Sequence, residues 1–301
     1  RSYSVTGVQT CALPILATVH LIKTLDQLYA SRSQQHLAND PLSFCHRYRN
    51  PADQEVAALI AAVFAYGSVK VIKGSLSRIF AIMGDSPAGF IDDFDPKKQR
   101  QLCSGFKHRF NNEDDLTALF WAIRLMRQQQ GGIEGFFSQF HAADAVTVEQ
   151  GLNGFCAAVL GLDYRPVFGR SGLPTESSFR FLFPAPSGGS ACKRLCMFLR
   201  WVVRPADGID LGLWLQVRPV QLIIPVDRHI ERISRMLGLT SRRTPDWQMA
   251  CEITAALRRF DPVDPIKYDF SICHLGISEG CNGTRAACCQ ACPVAQHCSQ
   301  V

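Results

Sequence analysis

Five of the thirteen cysteines in this 301-residue chain fall between Cys281 and Cys298. Thiols this dense either pair as disulfides or close around metal. The remaining cysteines are scattered singly through apolar helical stretches, as at Cys196 and Cys251, where buried free thiols are ordinary. The clustering therefore favours a metal centre and a reducing, cytoplasmic setting over a disulfide framework. The spacing is Cys281-x7-Cys289-x2-Cys292-x5-Cys298, with Cys288 competing as the second ligand. Cys289 is preferred because a two-residue gap lets its thiolate and that of Cys292 converge on one centre. On spacing alone, zinc and a four-iron cluster fit four thiolates equally well.

The rest of the chain reads as helix. Leu21, Leu25, Leu28 and Tyr29 mark an amphipathic helix over 20–37, which Asn39-Asp40-Pro41 breaks. A helix opening near Asp53 and Glu55 runs to about Tyr66, with both acids suited to its positive end. Others span about Lys70–Met83 and Asp114–Gln129, the latter closed by Gly131-Gly132. No convincing strand periodicity is present, and Leu222–Ile224 is too short to argue for a sheet. Pro174, Pro184, Pro186, Gly188 and Gly189 mark 168–190 as a crossing between two lobes. The expected fold class is all-α, with a helical region over 17–280 and a metal loop over 281–301. Residues 1–16 are expected to be a non-native or disordered tail. Thr10-Cys11-Ala12-Leu13-Pro14-Ile15 resembles translated sequencing adapter, and the patch Cys11–Leu16 lacks the flanks of a signal peptide. No apolar run approaches a membrane span, so no membrane partner is expected, and the chain is expected to be a monomer.

The net charge of +6 is concentrated in one window. Between Gly188 and Arg243 lie ten Lys and Arg against four acids, a local excess that points to a polyanion such as nucleic acid. Within it, the helix Ala191–Arg204 places Leu195, Phe198, Leu199, Val202 and Val203 on one face. Lys193, Arg200 and Arg204 fall on the other, predicting a solvent-facing basic stripe. Gly188-Gly189 leaves backbone amides open to a phosphate just ahead. Further along, Asp227 stands at an N-cap position before a short helix with Ile230, Ile233 and Leu237 on one face.

The string Val226-Asp227-x-His229-Ile230-x-Arg232-Ile233, followed by Leu237-Gly238-Leu239, resembles the aspartate segment of the endonuclease III superfamily of helix-hairpin-helix DNA glycosylases. In that superfamily a cysteine-rich iron–sulfur loop follows some fifty to sixty residues later; here Cys281 lies 54 residues after Asp227. The family's loop has six, two and five residues between its cysteines, one fewer than this chain in the first gap. The chain is also similar to a bacterial family that carries a Ser190-Ala191-x-Lys193-Arg194 segment, a Trp201-Val202-Val203-Arg204-Pro205 segment and this aspartate motif. The resemblance implies a two-lobed helical glycosylase fold, double-stranded DNA as partner and base-excision repair as function. It implies a 4Fe-4S cluster on Cys281, Cys289, Cys292 and Cys298, with zinc as the alternative. It further implies Asp227 as a catalytic carboxylate of a DNA N-glycosylase, with Lys193 either the nucleophile of an added AP lyase activity or a phosphate contact beside an Asp227 that activates water. Gly188, Gly189, Arg194, Arg200, Arg204, Arg228 and His229 become the expected DNA contacts. The family's Leu-Pro-Gly-Val-Gly hairpin is replaced by Pro186-Ser187-Gly188-Gly189-Ser190, which keeps open a catalytically inactive, nucleic-acid-binding alternative. A zinc-stabilised RNA- or DNA-binding protein is a second one.

Overall fold

The computed structural model describes residues 15–31, 37–38, 40–277 and 279–299. Thirteen α-helices build these residues: α1 Ile15–Ser31, α2 Pro51–Val63, α3 Val69–Met83, α4 Pro87–Asp93, α5 Pro96–Gln99, α6 Glu113–Gln130, α7 Ile133–Ser138, α8 Glu149–Leu160, α9 Arg165–Phe168, α10 Lys193–Val203, α11 Arg228–Met236, α12 Trp247–Arg258 and α13 Asp269–Ile277. The all-α expectation holds. The expected tail 1–16 lies outside the described residues except for Ile15 and Leu16, which open α1. That helix ends at Ser31, and residues 32–36 of its expected span are outside the described residues.

Helix starts are set by local chemistry. Asn50, Ser68, Ser86, Asn112 and Asp246 each sit at an N-cap and accept a backbone N–H of the following turn. Gly131, left-handed at φ 75°, closes α6. Helix α2 is buried all round, every residue from Val56 to Phe64 having no exposed surface, and the other helices pack about it. Its two acids do not serve their own helix. Asp53 accepts from Ala88 N at 2.8 Å and Ser86 Oγ at 3.0 Å, at the start of α4. Glu55 accepts from Ile133 N at 3.0 Å, Glu134 N at 2.9 Å and Trp214 Nε1 at 2.8 Å, at the start of α7. Each carboxylate thus docks another helix N-terminus onto the central one.

The predicted basic stripe on α10 is overturned. Arg194, Arg200 and Arg204 are 7%, 4% and 2% exposed, so the helix is buried on both faces. Arg200 pairs with Asp269 at 2.7 Å and Asp210 at 3.1 Å. Arg204 pairs with Asp210, with Asp264 at 2.9 Å and with Asp207 at 3.2 Å. Arg194 donates to the carbonyls of Val63 and Phe181 and lies over the rings of Phe181 and Tyr66. A buried guanidinium needs such partners, and two of the acids, Asp264 and Asp269, lie far away in sequence. These three arginines therefore hold the core and do not meet DNA phosphates. Of the predicted stripe Lys193 keeps an open side chain, 36% exposed.

A β-hairpin also appears where no strand was expected. β1 (Lys107–His108) and β2 (Asn111–Asn112) pair antiparallel across Arg109-Phe110. Two-residue strands are too short to produce a periodic signal. Among the described residues no helix is long and apolar enough to cross a membrane.

Candidate functional site

Lys193 and Asp227, 34 residues apart in sequence, meet in space: Nζ lies 3.9 Å from Oδ2. Asp227 is the N-cap of α11, and its Oδ1 accepts from His229 N and Ile230 N, both at 2.8 Å. The capping and functional readings of this residue are therefore compatible, because each uses a different oxygen. The cap fixes the carboxylate, and Oδ2 is left to face the amine and the Cys273 thiol, whose Sγ lies 3.6 Å away. At 3.9 Å the amine is attracted by charge but not clamped in a hydrogen bond.

Lys193 is aimed by the turn before it. Gly189 and Cys192 are both left-handed, at φ 77° and 48°. For cysteine that backbone conformation is uncommon and carries strain. It is held by the Cys192 N–H on Ser190 Oγ at 3.1 Å and by the thiol on Pro184 O at 3.2 Å. Gly189 O accepts from Trp247 N at 3.4 Å, tying the turn to the start of α12. Gly188 and Gly189 are exposed, but their amides, expected to be open to a phosphate, donate to Ala185 O at 3.1 Å and Pro186 O at 2.8 Å within the turn.

Arg228 is exposed beside the pair. His229 is turned differently from the expected DNA contact. Its ring faces α13, where a Cβ on Gly276 would come within 2.2 Å of Nδ1, and Arg232 Nη2 lies 3.2 Å from the same nitrogen. Burial pushes its imidazole below the usual histidine range, against the opposing pull of Asp227. Sequence reasoning missed Cys273 and Asp269, which stand four residues apart on α13 behind Asp227. Burial raises the Cys273 thiol well above its ordinary range, and Asp269 is pushed up to about 6 by burial despite Arg200 beside it. A signal for the pair existed, two polar groups at helical spacing in an apolar segment, but nothing tied it to Asp227. Away from this pair, His108 is buried between Ser75 Oγ and Tyr66 O, and Trp121 bonds Asp163 O. Arg109 and Phe110 are exposed at the hairpin tip.

The other end of α11 meets the cysteine segment. Ile233 of α11, Leu237 just after it and Leu275 of α13 wall one side of a cavity of about 30 Å³, and Cys281, Cys288, Cys289, Cys292 and Cys298 are among the residues that line the rest. The segment is anchored by the Arg232 guanidinium on Cys281 O and by Ser299 N on Met236 O at 3.0 Å. Gly283, at φ 88°, lets Arg232 pass, since a Cβ there would lie 2.5 Å from its Cδ. Within 281–299, among the described residues, Val294 is the buried apolar side chain, and all five thiols are free. Among the described residues no group of three or more His, Cys, Asp or Glu is arranged as a metal site. The donor set nonetheless fits a sulfur-liganded group: five thiols around one cavity, in a segment with too little apolar surface to fold alone. Cys289 Sγ accepts Ala286 N–H at 3.4 Å, a contact that suits a ligating thiolate.

No curated protein and no solved structure matches the chain. A family model described as "Protein of unknown function (DUF2400)" matches residues 40–278, a span that contains Lys193, Asp227 and Cys273 and ends just before Cys281. With well over half of its length matched, the chain belongs to the DUF2400 family.

Proposed function

We propose that the chain is a DNA N-glycosylase with AP lyase activity, built on the two-lobed helical plan of the endonuclease III superfamily. The observation that carries this reading is the meeting of Lys193 Nζ with the free oxygen of a capped Asp227 at 3.9 Å. A damaged base in double-stranded DNA would be turned out of the stack to reach them. Lys193, as the free amine, attacks C1′ of the nucleotide. The Nζ–C1′ bond forms as the C1′–N bond breaks, and the base leaves with the electron pair and takes up a proton released by Nζ. The C1′–O4′ bond then opens, O4′ takes the second Nζ proton, and the C1′=N Schiff base that borohydride reduces remains. Asp227 Oδ2 faces the positive charge that develops on the sugar. Arg228, exposed beside the pair, remains as a phosphate contact, whereas the Gly188 and Gly189 amides are taken by Ala185 O and Pro186 O.

Cys281, Cys289, Cys292 and Cys298 would hold a 4Fe-4S cluster. Bound there, it supplies cohesion to a segment without a core of its own and braces α11, whose first turn carries Asp227. Zinc on the same thiolates is the competing occupant.

Two measurements test these statements. Borohydride should trap a covalent complex between the wild-type protein and duplexes carrying an abasic site or an oxidised base; absence of any adduct would remove the lyase step. Anaerobically purified protein should be brown, absorb near about 400 nm as thiolate-bound iron–sulfur clusters do, and lose both on chelation. A colourless protein containing zinc would overturn the cluster assignment.

A further inference from the structure

The hairpin tip carries an exposed group of aromatic rings that the proposed chemistry does not use. Phe110 and Phe181 are 49% and 43% exposed, among the larger apolar side chains left open to water. Tyr66 joins them: its ring stacks on Phe110 at 5.4 Å and meets Phe181 at 5.0 Å, while Phe110 and Phe181 meet edge to face at 4.5 Å. Large aromatic groups are seldom left in solvent without a partner.

The group is fixed in place from below. Tyr66 OH donates to Asn111 Oδ1 and lies 3.1 Å from His108 O. The buried Arg194 guanidinium sits 4.2 Å from the Phe181 ring centre and 4.9 Å from that of Tyr66. Arg109, in the first turn position, is held at φ 56°, a left-handed conformation that is uncommon and strained for a non-glycine residue. Its side chain crosses Gly67, where a Cβ would lie 3.1 Å from Arg109 Cδ. Strain and a close approach together present Phe110 and Arg109 at the tip, with Lys107 exposed beside them. Arg194, which supports the rings, directly follows Lys193 on α10.

Rigid exposed rings edged by basic side chains match a nucleobase still attached to its phosphate backbone: the π face takes the base and the cations take the phosphates. We propose that Tyr66, Phe110 and Phe181 form a stacking platform for an unstacked base of DNA, with Arg109 and Lys107 on the adjoining phosphates. The platform rests on the nucleic-acid reading above and deepens it, because it would hold a base displaced while Lys193 acts on the neighbouring sugar. An aliphatic protein surface would bury the rings but leave Arg109 and Lys107 unpaired, and an acidic one would pair the cations but leave the ring faces open.

The test uses the full-length protein with oligonucleotides that carry 2-aminopurine in a single strand or opposite an abasic site. Wild-type protein should quench its fluorescence on binding, as stacking on a ring does. Phe110→Ala should remove the quench and weaken binding about 5- to 150-fold, the loss of one base–aromatic stack. Phe110→Trp should restore both, and unchanged circular dichroism should accompany each exposed-site variant. If Phe110→Ala binds and quenches like wild type while borohydride still traps Lys193, the platform is overturned and the glycosylase reading stands. If wild-type protein neither quenches the probe nor binds either oligonucleotide, both fall.

Discussion

Asp227→Asn is expected to lower base excision by about 10²- to 10⁴-fold, the range for losing a positioned acid–base or charge-stabilising group, and to leave the fold intact. The two oxygens of the carboxylate explain the separation. Asparagine keeps an acceptor for His229 N and Ile230 N, so the α11 cap survives. It removes the negative charge that faces Lys193 Nζ and the Cys273 thiol. Asp227→Ala would lose the charge and the cap together, adding a stability cost of about 1 kcal/mol. Single-turnover excision on a panel of uracil, oxidised-pyrimidine and 8-oxoguanine duplexes, read beside the melting temperature, distinguishes the two effects. Lys193→Gln should abolish the borohydride adduct. Excision by Asp227→Asn at the wild-type rate on every duplex would mean that the chain binds nucleic acid without cleaving the glycosidic bond.

The parts of this molecule legible in the sequence are those whose cause is local. The α6 boundaries follow from Asn112 at its start and Gly131 at its end, and the α11 cap follows from Asp227 before an apolar face. The gathering of thiols at one cavity follows from cysteine clustering, whereas the pairing of Lys193 with Asp227 across 34 residues is implied only by the family resemblance. What was hidden depends on partners distant in sequence. A helical wheel shows that Arg200 and Arg204 share a face, but not that Asp264 and Asp269 arrive from 60 and 69 residues further on to bury them. The same blindness applied to Asp53 and Glu55, which looked like ordinary first-turn acids and instead cap α4 and α7. Net charge counted along the chain thus overstated the basic surface, because three of the ten cations in the window are spent internally. The nucleic-acid reading consequently moves from the α10 stripe to Arg228 and the hairpin tip.

That internal charge network should be the most sensitive part of the fold. Asp210, 1% exposed, lies between the two arginines, accepting a hydrogen bond from Arg204 and forming an ion pair with Arg200 at 3.1 Å. Asp210→Asn retains the shape but leaves two buried guanidinium groups with one fewer carboxylate, and removing one partner from such a network costs about 3–5 kcal/mol. For a chain of 301 residues that corresponds to a fall in melting temperature of about 5–8 °C, using about 1.6 °C per kcal/mol. The control is Asp207→Asn: that carboxylate is more open, with a side chain 20% exposed, and also pairs with Arg204, so water can replace part of what is lost. Its melting temperature should fall by much less. Replacing Arg200, Arg204 and Asp210 together by apolar residues of matching volume would still strand Asp269 and Asp264, whose partners they are. The triple variant should therefore remain destabilised unless both acids are neutralised as well. Equal melting temperatures for Asp210→Asn and Asp207→Asn would show that burial does not amplify the loss, and that the arginines of α10 are held chiefly by packing.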